Sequence, residues 1–254
     1  MSTKTAFITG TTSGFGLAIA NRLASLGCNL IITGRRRERL ETEAADIRSH
    51  YGVEVLPLCF DVRDREVCRQ TVESLPERWK QIDLLINNAG LAAGATPVQD
   101  GDIDDWERMI DTNVKGLLYI SRFVIPLMVK RKSGHVINIS SIAGVEVYPS
   151  GNVYCATKHA VNAITKGMRI DLLKENIKVS SISPGAAETE FSLVRYHGDQ
   201  EKADAVYKGI VPLNAEDIAD AVEFIVTRPP HVNINDILLT PVRQANTYVY
   251  HREG

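Results

Sequence analysis

The sequence predicts an α/β protein in which a doubly wound parallel sheet of about seven strands carries helices on both faces, with residues 1–254 forming a single domain. Short runs rich in β-branched and aliphatic residues alternate with longer helical stretches, which is the pattern of repeated right-handed βαβ units. Several short runs are apolar on both faces, as expected of parallel strands covered by helices on two sides. No linker, internal repeat or low-complexity tract divides the chain.

The predicted elements follow this alternation along the chain. Strands are expected at residues 5–9, 29–33, 53–60, 84–87, 135–140, 178–183 and 236–240. Helices are expected at about residues 14–26, 36–50, 65–80, 103–130, 153–175 and 215–227. Residues 184–213 are too many for an ordinary connection, so we expect a functional loop or lid there, with a short helix over 199–205.

Composition and charge argue against several other classes of protein. The formal net charge is −2, so no overall basic field attracts nucleic acid or an anionic membrane. No secretory signal precedes the first strand, and no stretch approaches the roughly 20 apolar residues of a membrane helix. The four cysteines, Cys28, Cys59, Cys68 and Cys155, lack metal-ligand spacing and are typical of reduced thiols in or near a core. We therefore expect a cytoplasmic protein that binds no metal, nucleic acid or membrane.

A glycine-rich turn follows the first predicted strand. Gly10, Gly14 and Gly16 stand where strand passes into helix, and their missing side chains would let a pyrophosphate approach the backbone. The following helix offers free N–H groups and a partial positive charge. An ordinary tight turn could use the same glycines, but the position after the first strand of a βαβ unit favours a Rossmann-type dinucleotide site. The turn is completed by Thr12, Ser13 and Phe15.

The end of the second strand indicates which dinucleotide binds. An acidic residue there would bind the ribose 2′-hydroxyl of NAD, whereas this strand ends in Gly34 followed by Arg35 and Arg36. Because a guanidinium matches phosphate geometry, Arg35 is predicted as the main contact to the 2′-phosphate of NADP and Arg36 as the second. The alternative is that these arginines form only a solvated helix start, although the helix dipole disfavours cations there.

Tyr154 and Lys158 lie four residues apart in a predicted helix and therefore share one of its faces. A free tyrosine has a pKa of about 10 and is a poor base near neutrality. A nearby ammonium favours the phenolate and lowers that pKa, so the pair is a plausible general acid/base. The pair alone occurs by chance in many proteins and needs other motifs beside it.

These motifs, with others in the same order from residue 9 to residue 189, resemble the short-chain dehydrogenase/reductase family. The glycine turn matches the family's T-G-x-x-x-G-x-G, residues 87–90 match N-N-A-G, and residues 184–189 match P-G-x-V-x-T except for Ala187 in place of valine. The resemblance implies that these segments contact the cofactor, and that Thr189 bonds the nicotinamide carboxamide. The further implied cofactor contacts are Asp61, Val62, Asn88, Ala89, Gly90, Tyr154, Lys158, Pro184, Gly185, Ala187 and Thr189. Asp61 could also serve to cap the next helix.

The resemblance also implies catalytic roles. Ser141, thirteen residues before Tyr154, should hydrogen-bond the substrate oxygen, whereas Ser140 should point the other way and be structural. The backbone carbonyl of Asn113 should anchor a water that links to Lys158 as a proton relay. Tyr154 should pass the proton while hydride moves between a carbinol carbon and nicotinamide, and Lys158 should lower the tyrosine pKa and bind the ribose hydroxyls.

Stretches outside these motifs, among them residues 191–196 and 228–235, resemble the subgroup of NADP-dependent 3-hydroxy acid dehydrogenases. That resemblance implies oxidation of L-serine, L-allo-threonine and 3-hydroxypropionate, and reduction of malonic semialdehyde. It also implies a homotetramer paired through the helices near 103–130 and 153–175. We predict that Arg195, in the lid, binds the substrate carboxylate; a surface arginine and an intersubunit contact are the alternatives.

Two other functions are compatible with part of the pattern. An NADPH-dependent ketoreductase of steroids, sugars or acyl thioesters would favour an apolar lid or a basic patch, and residues 190–213 are mixed. A non-catalytic NADP-sensing protein would not need Asn113, Ser141, Tyr154 and Lys158 together. A motif set supports a fold and a chemistry more firmly than it supports a substrate.

Overall fold

The computed structural model describes residues 3–253, which form one sheet flanked by helices. The strands are β1 (Thr5–Ile8), β2 (Asn29–Gly34), β3 (Val55–Cys59), β4 (Leu84–Asn87), β5 (Gly134–Ile139), β6 (Ile177–Pro184) and β7 (Asp236–Leu239). The helices are α1 (Gly14–Ser25), α2 (Arg37–Tyr51), α3 (Arg65–Glu73), α4 (Ile103–Ile110), α5 (Leu117–Arg131), α6 (Asn152–Asp171), α7 (Glu190–Arg195), α8 (Gln200–Ala205) and α9 (Ala215–Val226). The predicted fold class and all seven predicted strands are confirmed, with bounds that differ by one or two residues.

The seven strands are parallel and lie in the order β3-β2-β1-β4-β5-β6-β7. The order reverses between β1 and β4, where Ile8 is the register partner of Ile86. In a doubly wound sheet, ligands bind at the carboxyl ends of the strands beside such a reversal. The topology therefore directs attention to the segments that follow β1, β4, β5 and β6.

Two apolar cores cover the two faces of the sheet, and alternation along β1 shows the division. Ala6 and Ile8 belong to the core formed with α1 and α9, whereas Phe7 belongs to the core formed with α3 and α5. Successive side chains of a strand point to opposite faces, so a strand packed on both sides must be apolar throughout. This explains the continuous apolar runs in the sequence.

Two predicted helices are broken and a third ends early. The prediction of one helix over 65–80 is wrong beyond Glu73, because Pro76 lacks an N–H and disfavours helical backbone at the residue before it. A 3₁₀ turn, Glu77–Lys80, follows and buries Trp79 in the core. The predicted helix over 103–130 is divided by a π-helix, Asp111–Gly116, between α4 and α5. The helix predicted to reach residue 175 ends at Asp171.

The predicted irregular region over 184–213 contains two short helices. The expected helix over 199–205 is confirmed as α8, whereas α7 was not predicted. Thr189 begins α7 by accepting a hydrogen bond from the Phe191 N–H at 3.2 Å, and Glu190 follows in the first turn. A threonine followed by an acidic residue was therefore the available signal for this helix. Within residues 3–253, no helix combines the length and apolarity that crossing a membrane would require.

His135, at the start of β5, is a buried histidine held in one tautomer. Ser180 donates its hydroxyl proton to the Ile234 carbonyl, so its oxygen accepts from the His135 Nε2–H at 2.8 Å. Burial lowers the pKa of His135 to about 3, and the charges of Lys178 and Lys4 act in the same direction. His135 therefore stays neutral in the folded protein through the range where a free histidine titrates.

We predict that His135 makes the fold sensitive to acid. Its folded pKa of about 3 lies below the unfolded value of about 6.5, so the unfolded chain binds the extra proton. Between these values each pH unit lowered costs up to about 1.4 kcal/mol of unfolding free energy. His135→Gln should flatten the fall of stability between pH 6.5 and pH 4.5, measured by urea unfolding. His231→Gln, at an exposed position, is the control, and an unchanged slope in His135→Gln would contradict the assignment.

Candidate active site

A cleft of about 600 Å³ opens at the carboxyl ends of the strands, beside the reversal between β1 and β4. It extends from the arginines after β2, past the glycine turn, to Tyr154 on α6 and to α7. Helix α7 is named the lid helix because it lies within residues 184–213, the segment predicted to be a lid. Most residues predicted from the sequence line it, namely Gly10, Thr12, Ser13, Gly14, Phe15, Arg35, Arg36, Asp61, Val62, Asn88, Ala89, Gly90, Ser141, Tyr154, Lys158, Pro184, Gly185, Ala187, Thr189 and Arg195. Gly16 and Asn113 lie behind the wall and support it.

The glycine turn has the shape that a phosphate site requires. Gly10 and Gly14 adopt positive φ angles of 72° and 55°, which side chains disfavour. A Cβ on Gly16 would lie 2.1 Å from the Gly10 carbonyl, so only glycine lets α1 pack this closely on the turn. Ser13 makes no side-chain cap hydrogen bond to α1. Helices α2, α5 and α6 also lack a side-chain cap, whereas α3, α4, α7, α8 and α9 have one. The first-turn N–H groups of α1 thus remain available to an anion, and the residues present fit a dinucleotide.

Asn88 ties the ends of β1 and β4 together behind this turn. Its side-chain Nδ2 donates to the carbonyls of Thr9 and Gly10 at 2.8 and 3.0 Å. The Thr9 hydroxyl in turn accepts from the backbone N–H groups of Asn88 and Ala89 at 3.0 and 2.9 Å. The same side chain limits the space behind Gly16, where a Cβ would lie 2.5 Å from Nδ2. Asn88 therefore sets the position of the glycine turn against the sheet.

The structure excludes one of the two roles predicted for Asp61, the capping of α3, while its contact with the cofactor stays a prediction. Asp64, and not Asp61, caps α3 by accepting from two first-turn N–H groups at 2.9 and 3.0 Å, so the capping alternative is wrong. Asp61 accepts from Nε and Nη2 of Arg63 at 3.0 and 2.7 Å and lies 3.7 Å from Nη1 of Arg35. Although burial raises its pKa, the hydrogen bonds from Arg63 outweigh burial and hold the pKa below its usual value. Asp61 is therefore an ionised wall of the cleft.

The two arginines after β2 have different surroundings. Arg36 donates through Nη2 to the Thr12 hydroxyl, the Thr12 carbonyl and the Ser13 hydroxyl at 2.9 to 3.0 Å, and through Nη1 to Glu190 at 2.9 Å. Its guanidinium is thus bound to the glycine turn and the lid, which a merely solvated helix start would not require. The Arg35 side chain is 54% exposed, and within residues 3–253 its only ionic contact is the 3.7 Å approach to Asp61. Arg35 is the cation with the most capacity left for a phosphate.

Tyr154 and Lys158 share the cleft-facing side of α6, as their spacing predicts, and both are buried. Burial raises the pKa of the Tyr154 phenol, which a hydrogen bond with Ser141 opposes only in part. Burial also lowers the pKa of Lys158 to about 8. Lys158 donates to the Ile139 carbonyl at 3.1 Å and its Nζ lies 5.9 Å from the centre of the Tyr154 ring. Loss of hydration therefore outweighs the lowering of the Tyr154 pKa that Lys158 was expected to cause. Tyr154 keeps its proton at neutral pH.

Ser141 and Ser140 follow β5 and diverge as alternation predicts. The Ser141 hydroxyl lies beside Tyr154 and accepts from the Ala143 N–H at 3.1 Å, which orients it at the cleft. Ser140 is buried and donates to the Lys158 carbonyl at 3.4 Å, so it braces α6. Two hydroxyls, those of Ser141 and Tyr154, are thus placed to hold one oxygen atom of a small molecule.

Asn113 lies within the π-helix that interrupts the α4–α5 segment. Its Oδ1 accepts from the Leu91 N–H, and its Nδ2 donates to the Leu91 carbonyl and the Thr157 hydroxyl, at 2.8, 2.8 and 3.0 Å. A Cβ on Gly90 would lie 3.2 Å from its Oδ1 and 3.5 Å from Nζ of Lys158, which places both groups around the same glycine. π-helical turns are frequent at functional sites. The Asn113 side chain thus joins the loop at Leu91 to α6 through Thr157, and the water-anchoring role of its backbone carbonyl stays a prediction.

The lid helix α7 adds side chains at the far end of the cleft. Phe191 packs on Tyr154 with ring centroids 5.6 Å apart. Arg195 donates to the Tyr148 hydroxyl at 3.0 Å and to the Gly94 carbonyl at 3.3 Å, and its guanidinium stacks on Tyr148 and Tyr196. Arg195 is therefore a partly buried component of the site, and the alternative of a simple surface arginine is wrong.

Sequence reasoning missed the contribution of the C-terminal segment. Gln244 is buried and its Oε1 accepts from the Ala186 N–H at 2.8 Å, within the segment that follows β6. A Cβ on Gly185 would lie 2.3 Å from that oxygen, so glycine and glutamine are matched. No local sequence pattern marks Tyr250 as part of the site. Its hydroxyl accepts a hydrogen bond from Nε2 of Gln244 at 2.9 Å at the cleft wall. Only the tertiary structure brings this segment to the site.

Comparison with known proteins agrees with this geometry. The sequence model of the family described as short chain dehydrogenase matches residues 4–198. The NADP-dependent 3-hydroxy acid dehydrogenase YdfG of Salmonella typhi is 46% identical over 94% of this chain and 95% of its own. Sulfoacetaldehyde reductase 2 of Chromohalobacter salexigens is 45% identical over 94% of each chain.

Among solved structures, the closed form of serine dehydrogenase complexed with NADP⁺ superimposes with a TM-score of 0.91 at 43% identity. The alignment covers 98% of this chain and 100% of that one. The similarity therefore extends through the glycine turn, helix α6 and the predicted lid segment, and beyond the residues that the family model matches. On these grounds the chain belongs to the short-chain dehydrogenase family.

Proposed function

We propose that this chain is an NADP-dependent oxidoreductase that moves hydride between nicotinamide and the carbinol or carbonyl carbon of a small 3-hydroxy acid. L-Serine, L-allo-threonine and the pair 3-hydroxypropionate and malonic semialdehyde are the proposed types of substrate. The observation that carries the substrate class is Arg195, which faces the cleft near Tyr154 and has no carboxylate partner among residues 3–253.

A partly buried cation without an anion is costly, so the Arg195 site favours an anionic ligand. Burial lowers the pKa of Arg195, but the surrounding tyrosines, with Tyr148 contributing most, together outweigh burial and the pKa is raised. The guanidinium is charged at neutral pH in any case, because an arginine loses its proton only far above that range. The hydrogen bonds to the Tyr148 hydroxyl and the Gly94 carbonyl hold the Arg195 guanidinium at the wall of the cleft. A carboxylate one or two carbons from the reacting carbon would meet Arg195 while Ser141 and Tyr154 hold the reacting oxygen.

NADP is the cofactor that the residues fit. Arg35 meets the 2′-phosphate, the uncapped N-terminus of α1 meets the pyrophosphate, and Lys158 reaches the nicotinamide ribose. The end of β2, where an acid would bind the ribose of NAD, is occupied by Gly34 and followed by Arg35. The bound nicotinamide supplies or accepts the hydride.

The chain's own residues supply the proton and the orientation. Burial raises the pKa of Tyr154 and keeps the phenol protonated at neutral pH, which is the form that donates to a carbonyl oxygen as it becomes a hydroxyl. In the oxidation direction the phenol must first lose that proton before it can accept the proton of the carbinol. Ser141 donates to the same oxygen and restricts its position. Lys158, with a pKa of about 8, exchanges protons near neutrality, and Asn113 on the π-helix fixes the loop beside it. The lid covers the site and excludes water.

The names of the relatives support a small anionic substrate but do not distinguish a carboxylate from a sulfonate. One relative is named for a 3-hydroxy acid and another for sulfoacetaldehyde, and both names describe small molecules with an acidic group. Carboxylate and sulfonate share the chemistry that Arg195 recognises. Steroids and sugars are neutral and would leave this guanidinium without a partner, so a ketoreductase of those classes is the less favoured proposal.

We also propose the homotetramer that the family resemblance implies. In the single chain, Ile103 on α4, Ile170 on α6 and Leu173 beyond it are exposed by 65%, 75% and 76%. These apolar side chains stand on the two helices expected to pair, and their burial in an assembly would remove them from water.

The substrate class is tested by following absorbance of the reduced nicotinamide. We expect L-serine, L-allo-threonine and 3-hydroxypropionate to be oxidised with NADP, because their carboxylates meet Arg195, and to react poorly with NAD. Tyr154→Phe should abolish turnover while retaining NADPH binding, since phenylalanine can neither accept a proton from a carbinol nor donate one to a carbonyl. Turnover of sulfoacetaldehyde but none of the acids would restrict the anion to a sulfonate. If none of these compounds changes the absorbance of the reduced nicotinamide with either cofactor, the proposal is contradicted.

Cofactor choice is tested by Arg35→Ser. Loss of a charged hydrogen bond of about 1.5 to 3 kcal/mol should raise KM for NADP by about 10- to 150-fold and leave KM for NAD nearly unchanged. Arg37→Ser, at an exposed position two residues on, is the matched control. Equal effects of Arg35→Ser on both cofactors would show that Arg35 does not bind the 2′-phosphate.

The carboxylate role is tested by Arg195→Ala and Arg195→Lys. kcat/KM should fall about 10- to 150-fold for an acid but only a few-fold for a small neutral carbonyl, because only the acid loses a charge partner. Arg195→Lys should recover part of the loss, since the charge returns without the fork. Equal losses on the two kinds of substrate would remove the carboxylate role.

A further inference from the structure

The lid helix is held to the cofactor side of the cleft by one acidic residue. Glu190, the first residue of α7, bonds Nη1 of Arg36 through Oε2 at 2.9 Å and Nη1 of Arg39 through Oε1 at 2.8 Å. Both arginines lie at the start of α2, on the other side of the glycine turn. One carboxylate therefore bridges the lid to the helix that follows β2.

This bridge completes a ring around the phosphate end of the cleft. The segment after β6 passes in front of α1, where the Thr189 Cβ lies 3.4 Å from the position of a Cβ on Gly14. Glu190 follows and reaches Arg36, and Arg36 is bonded back to Thr12 and Ser13 of the glycine turn. The ring of contacts thus runs from the lid helix α7 through the side chains of Glu190 and Arg36 to the glycine turn. A dinucleotide whose pyrophosphate lies against α1 would pass beneath it.

The acid does more than stabilise its own helix. A carboxylate in the first turn complements the helix dipole, but that role needs no partner on another element. Here both oxygens are taken by guanidinium groups of α2. Although partial burial raises the pKa of Glu190, hydrogen bonds from Arg36 and Arg39 outweigh it and hold the pKa below its usual value. The bridge is therefore ionised and formed at neutral pH.

The same short helix reaches both halves of the site. α7 has six residues and rises about 1.5 Å per residue, so its ends are less than about 10 Å apart. Glu190 stands at the cofactor end, Phe191 packs on Tyr154, and Arg195 closes the substrate end. Tyr207 fastens the middle by bonding the Ser192 hydroxyl at 2.6 Å and the Ala187 carbonyl at 2.7 Å. Movement at Glu190 would therefore be transmitted to the groups that meet the substrate.

We propose that Glu190 is a positioning residue that fastens α7 across the bound cofactor through Arg36 and Arg39, so that NADPH leaves only when this bridge opens. The inference rests on the proposed function for the identity of the cofactor. It makes cofactor release, rather than the chemical step, the event that the bridge controls. It also gives Arg36 a second partner besides any phosphate, which accounts for its orientation toward the lid.

The test measures the dissociation rate of NADPH from the full chain by stopped-flow fluorescence, with excess NADP⁺ as the displacing ligand. In Glu190→Gln, which keeps the size of the side chain, the rate should rise about three- to tenfold, as expected for two partly exposed ion pairs. Arg39→Gln should give a smaller rise. The double variant Glu190→Gln with Arg39→Gln should match Glu190→Gln alone, because Arg39 acts only through the carboxylate.

The control is Glu54→Gln, which removes a surface ion pair with Arg78 at the opposite end of β2 and β3 and should leave the rate unchanged. Thermal unfolding of each variant shows whether the fold is retained; similar Tm values with a faster rate support the bridge. An unchanged rate in Glu190→Gln would overturn the proposal. A slower rate would also overturn it, because the carboxylate would then compete with the cofactor phosphates for Arg36. If the wild-type chain binds no NADPH, the proposed function itself fails, and the bridge with it.

Discussion

The site depends on the close approach of α1 to the turn after β1. A Cβ at Gly16 would lie 2.1 Å from the Gly10 carbonyl, so the helix can begin this near the sheet only with glycine there. Asn88 completes the arrangement by bonding the Thr9 and Gly10 carbonyls from β4. This packing aims the uncapped N-terminus of α1 into the cleft beside the reversal of strand order. Every other part of the site, from Arg35 to the lid, is arranged around that fixed point.

Burial decides the protonation of the groups near the reacting atoms. It keeps the phenol of Tyr154 protonated and brings the pKa of Lys158 to about 8, so a proton donor and an exchangeable proton stand together near neutrality. Arg195 stays charged in spite of partial burial because a guanidinium loses its proton only far above neutral pH, and the rings of Tyr148 and Tyr196 pack against it. A charged group that the protein itself does not neutralise is a common sign of a ligand site. Burial also keeps His135 neutral, and this histidine lies in the sheet at the start of β5, away from the cleft.

Local motifs predicted much of the fold and of the cofactor half of the site. The central strands β1, β2, β4 and β5 are predictable because parallel strands covered on both sides must be apolar, and the glycine turn because tight strand-to-helix packing excludes side chains. The end of α3 before Pro76 can also be predicted from the sequence, because proline lacks an N–H and disfavours helical backbone at the residue before it. The cap at Asp64 and the lid helix after Thr189 had weaker signals, since a single capping residue competes with many similar residues nearby.

The layered architecture, the glycine turn and the spacing of Tyr154 from Lys158 can be predicted from the sequence, because each depends on residues close together along the chain, and the family follows from the order of several such motifs. The partners of the charged groups are visible only in the folded chain. Glu190 meets Arg36 and Arg39 across more than a hundred residues, and Gln244 meets Ala186 from the C-terminal segment. Such contacts leave no periodic trace in sequence, since any exposed acid or amide could make them. They depend on where parallel strands and their crossovers bring distant segments together.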